Sequence, residues 1–253
     1  MSTPKVILIT GASGGIGRAC AVALSKAFAP LVLVLSGRRE AELQATAAAC
    51  APGTTVEVVA GDVSDEADVR RMFELVQTKY GRLDVLFNNA GVDLLNSVPI
   101  EDADMATFRK VLDVNVMAAV QTTAAAVRIM KAQSPPGGRI INNGSISSES
   151  PRPDSAAYTV SKHAILGLTR STSLDGRKYG IAATQLDIGN AQTDMGGHAA
   201  KGCRQADGSI RPEPMMGVKN VADTVVFVAG LPLEADVQRL SILATGMPFV
   251  GRG

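Results

Sequence analysis

The hydrophobic positions of this chain fall into short, continuous apolar runs that alternate with segments of helical period. The strand candidates are residues 5–10 (KVILIT), 31–36 (LVLVLS), 55–63 (TVEVVAGDV), 83–89 (LDVLFNN) and 138–143 (GRIINN). Runs that are apolar on both faces and alternate with helices are typical of parallel strands joined by crossover helices. The pattern therefore predicts an α/β fold, a doubly wound parallel sheet of about seven strands with helices on both faces.

Helical period is clearest after the first and third strand candidates, in residues 15–28 and 64–81, where Ser64 is a candidate N-cap. Residues 219–232 predict the last helix and residues 239–246 the last strand. Before this last helix, residues 194–218 are rich in Gly, Pro, Met and charge and have no clear period. We expect a mobile loop with a short helix there, not a domain boundary.

Length and charge narrow the class of protein. The chain has 253 residues, a formal net charge of +1 and 19% charged residues. This length suits a single domain over residues 1–253, and so small a net charge argues against a nucleic acid partner. No apolar run reaches the roughly 20 residues that cross a bilayer, and no secretory signal pattern is present. We therefore expect a soluble cytoplasmic protein without a membrane partner.

Cysteine and histidine are scarce in this chain. Cys20, Cys50 and Cys203 are far apart and lack the spacing of a metal site, and the only histidines are His163 and His198. These counts predict free thiols and no metal site, and they give little support to a Ser/His/Asp hydrolase.

A glycine-rich segment, TGASGGIG, joins the first strand candidate to the first helix. Glycines let the backbone turn tightly and approach a pyrophosphate, while the N-terminus of a helix offers unpaired N–H groups to the anion. This position between a strand and a helix is the one that a dinucleotide-binding loop requires. The candidate contacts are Gly11, Ser13, Gly15, Ile16 and Gly17.

The end of the second strand candidate indicates which dinucleotide is preferred. A site for NAD usually has Asp or Glu there, to bind the ribose 2′-hydroxyl. This chain instead has Arg38 and Arg39 after Gly37. Guanidinium groups bind a 2′-phosphate through charge-assisted hydrogen bonds. The sequence therefore predicts NADP(H), with Arg38 as the first candidate for the phosphate and Arg39 as the second.

Tyr158 and Lys162 are four residues apart, which places their side chains side by side on a helix. Hydride transfer to a carbonyl builds negative charge on its oxygen, so the site needs a proton donor and a hydrogen bond there. An ammonium group beside a phenol favours the phenolate, and we expect Lys162 to lower the pKa of Tyr158 from its ordinary value of about 10. Ser145, which follows a strand, is the candidate for holding the substrate oxygen.

Together these motifs resemble the short-chain dehydrogenase/reductase family in its single-domain form. The resemblance includes TGxxxGxG at residues 10–17, NNAG at 88–91, DVNV at 113–116, Ser145, and YxxxK at 158–162. It implies a Rossmann-type fold and an oxidoreductase acting on a carbonyl or secondary alcohol. It also implies that Lys162 binds the ribose of the nicotinamide half, and that Asn115 supports a proton relay through Lys162. A buried structural amide is the alternative for Asn115.

The resemblance assigns further cofactor contacts. Asp62 and Val63 match positions near the adenine, and Asn89, Ala90 and Gly91 match the loop beside the adenosine ribose. In the family, the sixth strand is followed by Pro-Gly with a threonine four residues past the glycine, whereas this chain has Ile188 before Gly189. Ala191 and Thr193 are nevertheless candidates for the nicotinamide carboxamide. Residues 194–218 are the candidate lid over the substrate, a segment that includes Met195, His198, Met215 and Met216.

Two other functions remain open from the sequence. Gly11, Gly14 and Gly17 also fit the TGxxGxxG spacing of nucleotide-sugar epimerases and dehydratases, although the short chain and the NNAG and DVNV motifs argue against that class. A regulator that binds NADPH without turnover needs the glycine loop but not Tyr158. The expected partner is a small carbonyl or alcohol substrate. By analogy with the family, we also expect a homodimer or homotetramer built on the helices at residues 104–131 and 155–179.

Overall fold

The computed structural model describes residues 3–193, 195 and 202–250. The strands are β1 (Lys5–Thr10), β2 (Leu31–Gly37), β3 (Thr55–Ala60), β4 (Val85–Asn88), β5 (Gly138–Asn143), β6 (Ile181–Ile188), β7 (Cys203–Arg204), β8 (Ile210–Arg211) and β9 (Arg239–Ile242). The α-helices are α1 (Gly15–Ala27), α2 (Glu40–Ala48), α3 (Glu66–Tyr80), α4 (Met105–Leu112), α5 (Ala118–Ala132), α6 (Ala156–Gly176) and α7 (Val218–Gly230).

Seven of the described strands form one parallel sheet in the order β3-β2-β1-β4-β5-β6-β9. The strand order reverses between β1 and β4, and ligands bind in the crevice outside the carboxyl ends of strands at such a switch point. This architecture confirms the predicted α/β class, the single doubly wound domain and the number of strands.

The sheet has an apolar core on each face because its strands are apolar on both sides. In β1, Ile7 and Ile9 pack with buried residues of α1 and α7, whereas Val6 and Leu8 pack with α3 and α5. The predicted arrangement of helices on both faces is therefore confirmed.

The boundaries of α3 come from local chemistry. Asp65 is the N-cap, with its carboxylate accepting hydrogen bonds from the N–H groups of Ala67 (2.7 Å) and Asp68 (3.1 Å). Ser64, the predicted cap, instead donates its hydroxyl to Asp62 Oδ1 at 2.7 Å, so that prediction was wrong by one residue. The helix ends at Gly81, whose φ of 65° is the left-handed conformation that glycine adopts without strain.

The long helix expected over residues 104–131 has an irregular centre. Helices α4 and α5 are continuous through a π-helical segment, Asp113–Met117, which contains Asn115. Such π segments are rare and often occur at functional sites. The second long helix, α6, is regular over Ala156–Gly176 and carries both Tyr158 and Lys162.

The loop expected at residues 194–218 is more ordered in its described part than the sequence indicated. Strands β7 and β8 form an antiparallel hairpin, with Asp207 and Gly208 at its turn. Strands of two residues are too short to produce an alternating pattern, which explains why the period was absent. Residues 194 and 196–201 lie outside the described residues, as does the His198 named in the lid prediction.

Candidate active site

A crevice of about 420 Å³ opens at the carboxyl ends of the strands. Nearly all of the predicted site residues line it: Gly11, Ser13, Gly15, Ile16, Arg38, Arg39, Asp62, Val63, Asn89, Ala90, Gly91, Ser145, Tyr158, Lys162, Ala191 and Thr193. Gly17 and Asn115 are not among the described lining residues. The fold thus brings the glycine loop and the Tyr–Lys pair, which are about 140 residues apart in sequence, into one cavity.

The glycine loop is held against the end of β4. Gly11 has a φ of 67°, and a Cβ there would lie 2.9 Å from the Cα of Ala90. A Cβ on Gly17 would overlap the Gly11 carbonyl oxygen and lie 2.7 Å from Asn89 Nδ2. The same Asn89 amide donates to the carbonyls of Thr10 (2.9 Å) and Gly11 (3.2 Å). Gly17 and Asn89 therefore fix the shape of the loop from behind.

The start of α1 is suited to an anion. Gly14, the residue before α1, has no side chain that could cap the helix, and the first turn of α1 has no acidic residue. The first N–H groups of the helix are therefore left to a ligand in the crevice.

Two arginines flank this helix start. Arg39 Nη2 lies 3.3 Å from both the carbonyl oxygen and the hydroxyl of Ser13, and it is exposed to the crevice. Arg38 is close enough to Asp62 to favour its charged form. Although burial opposes this effect, hydrogen bonds from Ser64 and the charge of Arg38 hold the pKa of Asp62 below its ordinary value. The crevice mouth beside β2 is therefore cationic.

The three candidate catalytic side chains meet at the other end of the crevice. Lys162 is buried, its Nζ donates to the carbonyl of Asn143 at 2.8 Å, and the same Nζ lies 5.4 Å from the centroid of the Tyr158 ring. Ser145 is the residue before a short 3-10 turn, and its Oγ accepts a hydrogen bond from the N–H of Ser147 at 3.1 Å.

The pKa of Tyr158 differs from the value expected from the sequence. Although part of the Tyr158 side chain is exposed in the crevice, burial of the phenol raises its pKa to about 12, against a hydrogen bond with Ser145 that lowers it. Burial lowers the pKa of Lys162 to about 8. The expected lowering of the Tyr158 pKa was therefore wrong for this structure. Desolvation of the phenolate is the largest cause of this shift, and the nearby carboxylates of Asp93 and Asp187 add to it.

Asn115 is buried behind the crevice. Its Oδ1 accepts from the N–H of Val92 (2.7 Å), and its Nδ2 donates to the carbonyl of Val92 (2.9 Å) and to Ser161 Oγ (3.0 Å). Ser161 in turn donates to the Tyr158 carbonyl at 2.7 Å. The side chain thus ties the loop after β4, where Val92 lines the crevice, to the helical turn that bears Tyr158.

Comparisons with known proteins agree with this geometry. A family model described as short chain dehydrogenase matches residues 5–203. The chain belongs to the short-chain dehydrogenase family. Among its relatives is sulfoacetaldehyde reductase 2 of Chromohalobacter salexigens, 30% identical over 245 residues, which cover 95% of this chain and 94% of that protein.

Two solved dehydrogenase structures illustrate the fold similarity. NAD+-bound xylitol dehydrogenase superimposes with a TM-score of 0.83 and 25% identity, covering 96% of this chain and 99% of the other. An alcohol dehydrogenase from Thermococcus sibiricus complexed with 5-hydroxy-NADP gives a TM-score of 0.81 and 25% identity, covering 95% and 97%. The chain is thus an oxidoreductase of a family that binds nicotinamide cofactors and acts on alcohol or carbonyl groups. None of its described helices is both long and apolar enough to span a membrane.

The departure from the common short-chain dehydrogenase pattern at Ile188 leaves the following loop well supported. Ile188 is buried at the end of β6, and the N–H of Gly189 donates to the carbonyl of Ile242 in β9 at 2.8 Å. Met216 then pairs with the next segment, donating to the Asn190 carbonyl and accepting from the Gln192 N–H, each at 2.9 Å. These backbone hydrogen bonds to β9 and Met216 hold the segment after Ile188 in place, where the family pattern has a proline.

A further charged group at this end of the crevice, Arg152, was not predicted from the sequence. Arg152 lines the cavity, and its Nη2 donates to Asn190 Oδ1 at 2.7 Å and pairs with the buried carboxylate of Glu213. Asn190 also donates to Glu213 at 2.8 Å. No local pattern could reveal this network, because its members are 23 to 61 residues apart in sequence.

Proposed function

We propose that this protein is an NADP(H)-dependent reductase of aldehydes or ketones, with Tyr158 as the proton donor. The observation that supports this most strongly is the meeting of Ser145, Tyr158 and Lys162 in the same crevice as the glycine loop. A regulator that only binds the cofactor would need the loop alone.

The protonation states favour the reductive direction. With a pKa of about 12, the phenol of Tyr158 is protonated at neutral pH and can give its proton to an oxygen that becomes negative. The Ser145 hydroxyl would hold that oxygen, and Lys162 would place its positive charge beside the developing phenolate. The nicotinamide, when bound, supplies the hydride to the carbonyl carbon. In this proposal Asn115 acts indirectly, by fixing the crevice wall at Val92.

The preference for NADP(H) is supported by charge. The loop after β2 presents Arg38 and Arg39 to the crevice and has no carboxylate at the position where one would bind a ribose 2′-hydroxyl. Arg39 already lies against Ser13 at the start of α1, where the pyrophosphate would bind. Of the two similar solved structures, one contains 5-hydroxy-NADP and the other NAD+. They do not favour either cofactor for this chain, so the proposal depends on the arginines.

The remaining parts of the proposal concern substrate and assembly. The described part of residues 194–218 would border the substrate, since Met195 lines the crevice and the buried Met216 pairs with Ala191, another lining residue. The chain would assemble as a homodimer or homotetramer through α4, α5 and α6. Val160 and Leu174 of α6 and Met117 of the π-helical segment between α4 and α5 are exposed there. Light scattering after gel filtration measures the number of subunits.

Turnover measurements test the function. Oxidation of NADPH should be detectable with at least one member of a panel of aldehydes and ketones, including sulfoacetaldehyde. Tyr158→Phe should reduce kcat by about 100-fold or more while leaving the Kd for NADPH within about threefold, because only the proton donor is lost. If NADPH binds but no carbonyl of the panel is reduced, the regulator becomes the better hypothesis. If the wild type is active and Tyr158→Phe keeps its turnover, the tyrosine is not the acid.

Cofactor preference is tested at the arginines. Arg38→Asp and Arg39→Asp should each raise the KM for NADPH by at least tenfold and raise that for NADH far less, because a carboxylate repels the 2′-phosphate. Arg70→Asp is the matched control, since Arg70 is an exposed arginine of α3 and is not among the described residues lining the crevice. Equal losses for both cofactors would overturn the phosphate role.

A further inference from the structure

A buried carboxylate lies behind the candidate catalytic serine. Asp187 is in β6 next to the end of β5, and none of its surface is exposed. A buried charge is costly unless both oxygens are paired. Asp187 is not among the described residues that line the crevice, so the proposed chemistry alone does not account for it.

Both carboxylate oxygens of Asp187 are bound. Oδ1 accepts from the backbone N–H of Ser145 (2.9 Å), from the Ser148 hydroxyl (3.1 Å) and from the Gln185 side-chain amide (2.7 Å). Oδ2 accepts from Arg239 Nε at 2.7 Å. Arg239 reaches this position from β9. The acid is therefore neutralised on the side away from Ser145.

The neighbouring glycine leaves room for this carboxylate. A Cβ on Gly144 would overlap Asp187 Oδ1 and lie 2.8 Å from Gln185 Cγ. The aspartate thus occupies the volume that any other residue at position 144 would need. The glycine that follows β5 therefore leaves space for the Asp187 carboxylate of β6.

The hydrogen bonds hold Ser145 from two directions. Its N–H is bound by Asp187, and its Oγ accepts from the N–H of Ser147. The Ser145 hydroxyl also hydrogen-bonds the phenol of Tyr158. We infer that Asp187 is a positioning residue: its carboxylate, neutralised by Arg239, fixes the backbone of Ser145 so that the hydroxyl faces Tyr158 and the substrate oxygen. This inference rests on the role of Ser145 in the proposed function.

The test separates the hydrogen bond from simple filling of space. Asp187→Ala removes both, whereas Asp187→Leu keeps a side chain of similar size without an acceptor. We expect both to lower kcat for carbonyl reduction by about 10- to 100-fold, the usual effect of losing a hydrogen bond to a charged group. The KM for NADPH should change less than threefold, because the glycine loop is untouched. Asp187→Asn, which retains an oxygen acceptor, should retain more kcat than Asp187→Ala.

The matched control is Glu149→Gln. Glu149 also pairs with Arg239, at 2.7 Å, but it is exposed and does not contact Ser145. This variant should keep wild-type kcat. In a Ser145→Ala background, Asp187→Ala should change kcat by less than threefold, since the two residues act as one unit. Wild-type kcat in Asp187→Leu would overturn the inference.

Hydrogen exchange gives a readout that is independent of turnover. The Ser145 amide should be protected in the wild type and in Glu149→Gln, and it should exchange at least tenfold faster in both variants that lack Asp187. If the wild type reduces no carbonyl but this exchange pattern holds, the proposed function fails and the anchoring by Asp187 stands. If the wild type is active and Asp187→Ala retains both kcat and protection, the inference fails and the proposed function stands.

Discussion

Replacing Asn115 with alanine tests whether its buried amide is a structural tie. The substitution removes three hydrogen bonds, two with the backbone of Val92 and one with Ser161. A net value of about 1 kcal/mol for each gives a loss of about 3 kcal/mol in the free energy of unfolding. The value belongs near the upper end of the usual range because the N–H and carbonyl of Val92 lose partners that alanine cannot replace.

Urea denaturation measures this loss, and kinetics show whether it reaches the site. Asn142→Ala is the matched control. Asn142 is also buried, donates to Thr169 Oγ1 and accepts from Asn88, each at 2.9 Å, and is not among the described residues lining the crevice. Both variants should lose stability, but only Asn115→Ala should also raise the KM for the carbonyl substrate, because Val92 forms part of the crevice wall.

Two results would contradict this reasoning. A loss of stability below about 0.5 kcal/mol would mean that the three hydrogen bonds have no net value. If turnover instead fell by about 100-fold or more while stability stayed unchanged, the result would support the direct catalytic role that the family resemblance implied for Asn115.

Further predictions follow from the same contacts. The rate of carbonyl reduction should fall as pH rises through about 8, because Lys162 loses its proton there, whereas the rate of alcohol oxidation should rise with pH because Tyr158 must lose its proton. In pH–rate profiles Lys162→Arg should lack the step near pH 8. A wild-type reduction rate that climbs from pH 7 to 9 would refute the assignment. Gly17→Ala should weaken NADPH binding by about tenfold or more and lower the free energy of unfolding by about 1–3 kcal/mol, because the new Cβ overlaps the Gly11 carbonyl. The control is Gly167→Ala in α6, whose Cβ would meet nothing within 4 Å, and equal losses of stability and binding in the two variants would show that the overlap is relieved. Cys20, whose thiol pKa is raised by burial, should react with a maleimide only as the protein unfolds, and rapid labelling in the native state by mass spectrometry would contradict that burial.

Features that depend on neighbouring residues could be predicted from the sequence. The continuous apolar runs gave the strands because a sheet covered on both faces has no polar side. The glycine loop followed from its place between a strand and a helix, and Tyr158 and Lys162 from a spacing of one helical turn. The loop at residues 194–218 was harder, because two-residue strands have no detectable period.

Features that depend on burial and on distant residues were decided by the tertiary structure. The sequence placed Lys162 beside Tyr158, but it could not show that desolvation would raise the phenol's pKa to about 12. Likewise, Asp187 is 42 residues from the amide it binds, and Arg239 approaches it from a later strand. Hydrogen bonds between distant segments and the loss of water around charged groups exist only once the chain has folded, so no local pattern records them.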